Sequence, residues 1–102
     1  MNQLIRSYFL GFIKIHILYH ATKEPVYGLW LIEELKRHGY DISPGTLYPI
    51  LHSLEADSLL QSRLQVVGGK SRKYYRTTSK GKKTLQQGKE QVQELLNEID
   101  ED

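Results

Sequence analysis

Cysteine is absent from this 102-residue chain. That removes disulfides, thiol catalysis and cysteine-held zinc together. Proline occurs three times, and methionine and tryptophan once each. No apolar run is long enough to span a bilayer. The N-terminal stretch from Leu4 to Tyr19 is interrupted by Arg6, Lys14 and His16, and it lacks a signal-peptide cleavage pattern. A soluble cytoplasmic protein without membrane contact is expected. A nucleophile–base pair, a complete metal set and a phosphate loop are also missing. Gly68-Gly69-Lys70-Ser71 looks like the end of a P-loop but lacks the upstream glycine, and a hairpin explains it better. We therefore assign no catalytic residue, no cofactor and no enzymatic activity.

What is present begins with charge. The net charge is only +2, but Lys70, Arg72, Lys73, Arg76, Lys80, Lys82 and Lys83 share one acid-free stretch, and Glu90, Glu94, Glu98, Asp100, Glu101 and Asp102 close the chain. Such separation marks either a solvated charge run or a surface for an anionic polymer, with the acidic end kept away from it. A chain of this length makes one domain, over residues 1–102, and buries roughly 60–70% of its unfolded surface, so a partner subunit would help it.

Periodicity predicts the elements. Helix one, over 3–21, is apolar nearly all round, so it is buried on more than one side; in so small a chain the second side is most simply another subunit. Helix two, over 27–38, has Gly28, Leu31, Ile32 and Leu35 as its inward stripe and Gly39 as its stop. A third helix over 43–56 opens with Ser43 as cap and Pro44 at the first position. Leu47, Ile50, Leu51 and Leu54 form its inner face. The short interval between helices two and three is that of a helix-turn-helix. Residues 59–78 read as a hairpin, the wing, turning at Gly68-Gly69 with Leu60, Leu64 and Val66 on one face. Ser79 is expected to cap a last helix over 79–99. There Leu85, Gly88, Val92, Leu95 and Ile99, with Leu96 beside them, make a short coiled-coil-like seam.

The outer face of the third helix carries Thr46, Tyr48, Pro49, His52 and Ser53, small or flat groups without an acid. Such a face can lie in a DNA major groove. It is equally the face of an ordinary amphipathic helix.

The run Ser43-Pro44-Gly45-Thr46-Leu47-Tyr48-Pro49-Ile50-Leu51, then Leu54-Glu55, then Gly69…Arg72-Lys73-Tyr74-Tyr75…Thr78…Gly81, resembles the PadR family of bacterial and archaeal transcription regulators. Pro25-Val26-Tyr27-Gly28 and Leu35 fit the same pattern, so the likeness covers about residues 10–85. The resemblance implies a mainly α fold with a small β-hairpin: a winged helix-turn-helix with N- and C-terminal dimerisation helices. It also implies a sequence-specific DNA-binding regulator, most simply a dimeric repressor released by a small aromatic effector at the dimer interface. The alternative is a winged-helix module that binds a protein and no operator. Because the family pattern includes a proline at position 49, the recognition helix is expected to kink there but continue to Ala56.

The DNA-contacting residues expected on this basis are Tyr27, Ser43, Gly45, Thr46, Tyr48, Pro49, His52, Lys70, Ser71, Arg72, Lys73 and Tyr75. Arg72 is open to a structural role as well. Tyr74 and Tyr75 point to opposite sides of the strand, one to the core and one to DNA. The dimer interface is expected to use Leu4, Tyr8, Phe9, Phe12, Leu85, Val92, Leu95, Leu96 and Ile99. The chain departs from the family at Ser58, commonly glycine, which puts the turn after the recognition helix in doubt, and at Thr77, commonly leucine, which weakens the packing expected of the wing. Trp30 either covers helix one or a partner subunit, or lines an effector pocket. His16 and His20 have a spacing that can hold a metal, but no third ligand or carboxylate is evident beside them. They are read as core or boundary residues, and no metal is assigned.

Overall fold

A computed structural model describes residues 1–101. The elements are α1 (Gln3–Lys23), α2 (Gly28–Arg37), α3 (Pro44–Ala56), β1 (Leu60–Val67), β2 (Lys70–Thr77) and α4 (Ser79–Asp100). Helix α1 starts under a cap from Asn2, whose Oδ1 accepts the Ile5 amide at 2.9 Å. It runs two residues past the expected end because nothing breaks it before Pro25. The Thr22 hydroxyl also folds back onto the Leu18 carbonyl at 2.7 Å. Helix α2 begins one residue late and ends one early, with Tyr27 and His38 as its flanking caps. Gly39 (φ +90°) then reverses the chain, in the left-handed region that glycine enters without steric cost.

The core is one cluster. Ile13, Ile17, Leu18 and Ala21 of α1 meet Leu31 and Leu35 of α2, Leu47, Ile50, Leu51 and Leu54 of α3, and Leu60 and Tyr75 of the hairpin. Helix α3 is continuous through Pro49. Proline cannot donate to the Gly45 carbonyl one turn earlier, but both residues lie on the exposed outer face rather than in the core.

The strands pair antiparallel from Leu60 with Thr77 to Val67 with Lys70. Gly68 and Gly69, both at positive φ, make the turn. Residue Val26 adds a short third rung, exchanging two backbone hydrogen bonds with Tyr75 at 3.0 and 2.7 Å.

Several expectations are corrected. Ser43 is the N-cap residue of α3 as expected, but its hydroxyl caps no amide; it lies 3.5 Å from the Thr46 hydroxyl. The cap of α4 is Thr78, not Ser79: the strand stays extended through Thr78, whose hydroxyl accepts the Gly81 amide at 3.0 Å and donates to the Ser58 carbonyl at 2.6 Å. Leu64 and Val66 are 70% and 73% exposed, because the hairpin projects beyond the helices and only its base, at Leu60, reaches the core. Thr77 does not weaken the wing. It is buried and donates to the Leu18 carbonyl at 2.7 Å, tying β2 to α1. Ser58 sits at φ 62°, the left-handed conformation that glycine adopts more cheaply than serine.

Candidate nucleic-acid interface

The outer face of α3 is open. Gly45, Tyr48, Pro49, His52 and Ser53 are exposed and Thr46 is half-buried. No side chain caps the start of α3. Pro44 has no N–H, and the Thr46 and Leu47 amides go to the Ser43 carbonyl at 3.1 and 3.0 Å, so the Gly45 amide is the first-turn donor left for an anion. The one acid in α3, Glu55, is half-buried and engaged by the hairpin. It accepts the Ser62 hydroxyl at 2.6 Å and lies 3.6 Å from Lys73 Nζ. The Ser62 hydrogen bond, aided by Lys73, holds its carboxyl below the usual carboxylate range.

Tyr48 is fixed from behind. Its ring lies against Gly28, where a Cβ would come within 2.7 Å of Cζ and 2.9 Å of Cε1. A glycine at the start of α2 thus leaves room for the hydroxyl end of the α3 tyrosine against α2.

The wing has a free tip and a braced base. Lys70 and Ser71 are exposed at the turn. Arg72 is half-buried, its guanidinium 4.5 Å from the centre of the Tyr27 ring, and Tyr27 meets Tyr74 edge-on at 5.4 Å. These three residues clamp the wing to the start of α2, so Arg72 and Tyr27 have structural work as well as a place near the surface. Lys73 is shared between Glu55 and the Tyr75 ring. Tyr75 cannot reach DNA. It is 1% exposed, because the rung with Val26 turns its side of the strand inward, and burial pushes its phenol up. Tyr74 is the partly exposed member of the pair. Arg76, Lys82 and Lys83 continue the cationic surface, while Lys80 is turned onto the Asp57 carbonyl at 2.9 Å.

The residues expected at a dimer interface fall into two sets. Leu4, Tyr8, Phe12, Val92, Leu95, Leu96 and Ile99 are 42–62% exposed. Phe9 and Leu85 instead pack on the chain's own core, Phe9 with Tyr40 at 5.2 Å between ring centres. Between α1 and α4 lies an open groove of about 880 Å³. One side is apolar, with Phe12, Ile15, Leu85 and Val92; the other is polar, with His16, His20, Glu34 and His38. Trp30 is outside the groove lining and covers α1, edge-on to His20 at 5.4 Å.

The polar side is the constellation that sequence reasoning missed. His38 and Glu34 do stand beside His16 and His20. The Glu34 carboxylate contacts Arg37 at 2.6 Å and His38 at 2.8 Å; the hydrogen bond with His38 does most to hold its carboxyl low, with Arg37 aiding. Burial keeps the His16 and His20 imidazoles below their ordinary value. The spacing of Glu34, Arg37 and His38 along α2 was a usable local signal; their approach to α1 was not.

Comparison with known proteins gives consistent matches. Residues 17–87 match the model of the transcriptional regulator PadR-like family. The transcriptional regulator Rv3488 of Mycobacterium tuberculosis is 46% identical over 95 residues, covering 93% of this chain and 89% of that protein. A crystal structure of a PadR family transcriptional regulator from Eggerthella lenta superposes with a TM-score of 0.82 at 34% identity, over 94% of this chain and 85% of that one. A PadR-like transcriptional regulator from Bacillus cereus does so with a TM-score of 0.82 at 30% identity, over 97% and 94%.

Proposed function

The chain belongs to the PadR-like family of transcriptional regulators, and from that premise we propose that it is a dimeric operator-binding repressor released by a small effector. The observation that carries the DNA contact is the pairing of two adjacent surfaces. An exposed, acid-free face of α3 lies beside a braced wing whose tip presents Lys70. Helix α3 has neither Arg nor Lys, so bidentate guanine reading from it is excluded. Affinity comes mainly from the wing and from phosphate contacts at the start of α3, with Tyr48, Pro49 and His52 touching base edges or methyl groups.

The exposed apolar residues of α1 and α4 support the dimer. Val92, Leu95, Leu96 and Ile99 repeat along α4 beyond Gly88, and the described residues offer them no cover within the chain. Two copies joined there would present two recognition helices to successive major grooves. The apolar side of the α1–α4 groove would take a flat aromatic effector, which would act by biasing the spacing of the two halves.

The test is binding to a labelled fragment of the protein's own upstream DNA, titrated with salt and random competitor. Salt-sensitive binding that survives competitor is expected. A log K against log salt slope near zero would sink the phosphate-led account. Lys70→Ala should weaken binding to all sequences about equally and reduce the slope by about one. No binding even at low salt would favour a protein-binding module, for which Leu64 and Val66, exposed on the wing, are the apolar contacts.

A further inference from the structure

We propose that His16, His20 and His38 form a binding site for a divalent first-row transition metal of the zinc class. One ring nitrogen of each lies within 4.8 Å of the others. Two of the three come from successive turns of α1, and the third from the end of α2. The fold alone unites them, with the His16 and His38 rings 4.9 Å apart and those of His20 and His38 6.1 Å apart.

A second observation is independent of this spacing. His20 Nε2 is buried and makes no hydrogen bond; Glu34 Oε2, at 3.6 Å, is too far to provide one. Native interiors seldom leave such a nitrogen orphaned. A metal ion that accepts its lone pair resolves it.

The donor set selects the ion. Three imidazoles without thiolates suit zinc, nickel, copper or ferrous iron, whereas magnesium and calcium want oxygen. Glu34 supplies the compensating charge. Its contact with His38 Nε2 at 2.8 Å is the carboxylate–imidazole arrangement that commonly orients a ligating histidine, and it leaves His38 Nδ1 as the nitrogen for the ion. Zinc–nitrogen distances of about 2.0–2.1 Å in a tetrahedron need nitrogens about 3.3 Å apart, so the cluster must close by up to about 1.5 Å. His38 can supply that movement. It is a helix cap with an exposed side chain, and its ring moves without disturbing the core. Three protein ligands leave one position open to the groove, for water.

The site stands apart from the DNA-binding reading, and its test measures metal alone. Tag-free protein, stripped with a chelator, is titrated with Zn²⁺ and with Co²⁺. The only tryptophan, Trp30, lies edge-on to His20, so its emission reports occupancy. One equivalent per chain is expected, with a visible Co²⁺ spectrum of tetrahedral intensity. His38→Ala, at an exposed position, and Glu34→Gln should each weaken binding about 10–100-fold. His52→Ala, on the outer face of α3, should leave it unchanged, and circular dichroism checks that each variant is folded. The proposal is overturned if wild-type protein takes up no stoichiometric metal, or if folded His38→Ala binds as tightly as wild type.

Discussion

Replacing Gly28 by alanine tests how the recognition helix is held. The new Cβ would sit 2.7 and 2.9 Å from two ring carbons of Tyr48, about 1 Å inside ordinary carbon–carbon contact. The α2 backbone is anchored by Leu31 and Leu35 in the core, so the ring must yield. Tyr48 is 38% exposed, so roughly 120 Å² of a tyrosine's area is covered; complete ejection would cost about 3 kcal/mol at most. A partial swing costs about 1–2 kcal/mol, and alanine's helix preference over glycine returns about 0.5–1 kcal/mol. The net loss is about 1 kcal/mol, a fall in Tm of about 4–8 °C. Thermal unfolding of the four proteins of the cycle, parent, Gly28→Ala, Tyr48→Ala and the double variant, isolates the clash. Alanine at position 28 should destabilise when Tyr48 is present and be neutral or stabilising when it is absent, with DNA affinity falling alongside in the single variants. A Gly28→Ala protein as stable as the parent, with the two substitutions additive, would refute the account.

Three further expectations concern other parts of the molecule. Ser58→Gly relieves a left-handed serine and should raise stability by up to about 1 kcal/mol, read as an increased urea midpoint; an unchanged or lower midpoint would contradict it. The folded-state value of Glu55 lies below its ordinary 4.5. Its contribution is therefore complete above the unfolded value and is lost as pH falls through that value toward the lower folded one; Glu55→Gln should flatten that acid limb, and identical pH profiles would dismiss the Ser62 contact as a stabiliser. Leu95→Asp on the exposed seam should leave the monomer's helicity intact but weaken self-association by about 2 kcal/mol, roughly 30-fold; sedimentation unchanged by this substitution would remove α4 from the dimer interface.

The parts legible in the sequence were those written in short-range patterns. The inner stripe of α3 reads directly from its spacing, as does the paired-glycine turn of the wing. What failed depended on distant partners. The strand period puts Tyr74 and Tyr75 on opposite faces but does not say which face is inside; that depends on packing against Val26, 49 residues before Tyr75. Alternation placed Leu64 on the same face as Leu60 but cannot show where the body of the protein ends, so it could not tell that Leu64 is exposed and Leu60 buried. Thr77 looked like a weak leucine because its acceptor, the Leu18 carbonyl, lies 59 residues away. Ser43 and Ser79 were both sensible caps by type, yet at α4 the preceding threonine, still extended, had the better geometry. The histidine cluster was hidden for the same reason: its third member arrives from another helix.

Gly81 carries a mechanical consequence. A Cβ there would collide with the Leu59 carbonyl and lie 2.6 Å from Thr77 Cγ2, and Thr78 fastens the same corner to Ser58. The joint between wing and α4 is thus welded rather than hinged. Beyond it α4 runs about 30 Å, so the helix acts as a stiff boom with the reading head at its foot. If two such booms are clasped near their tips, a tilt of about 6° at the clasp displaces each foot by about 3 Å, close to one base-pair step. The register of a pair of reading heads on DNA would then be set far from the DNA, by side chains that never approach it.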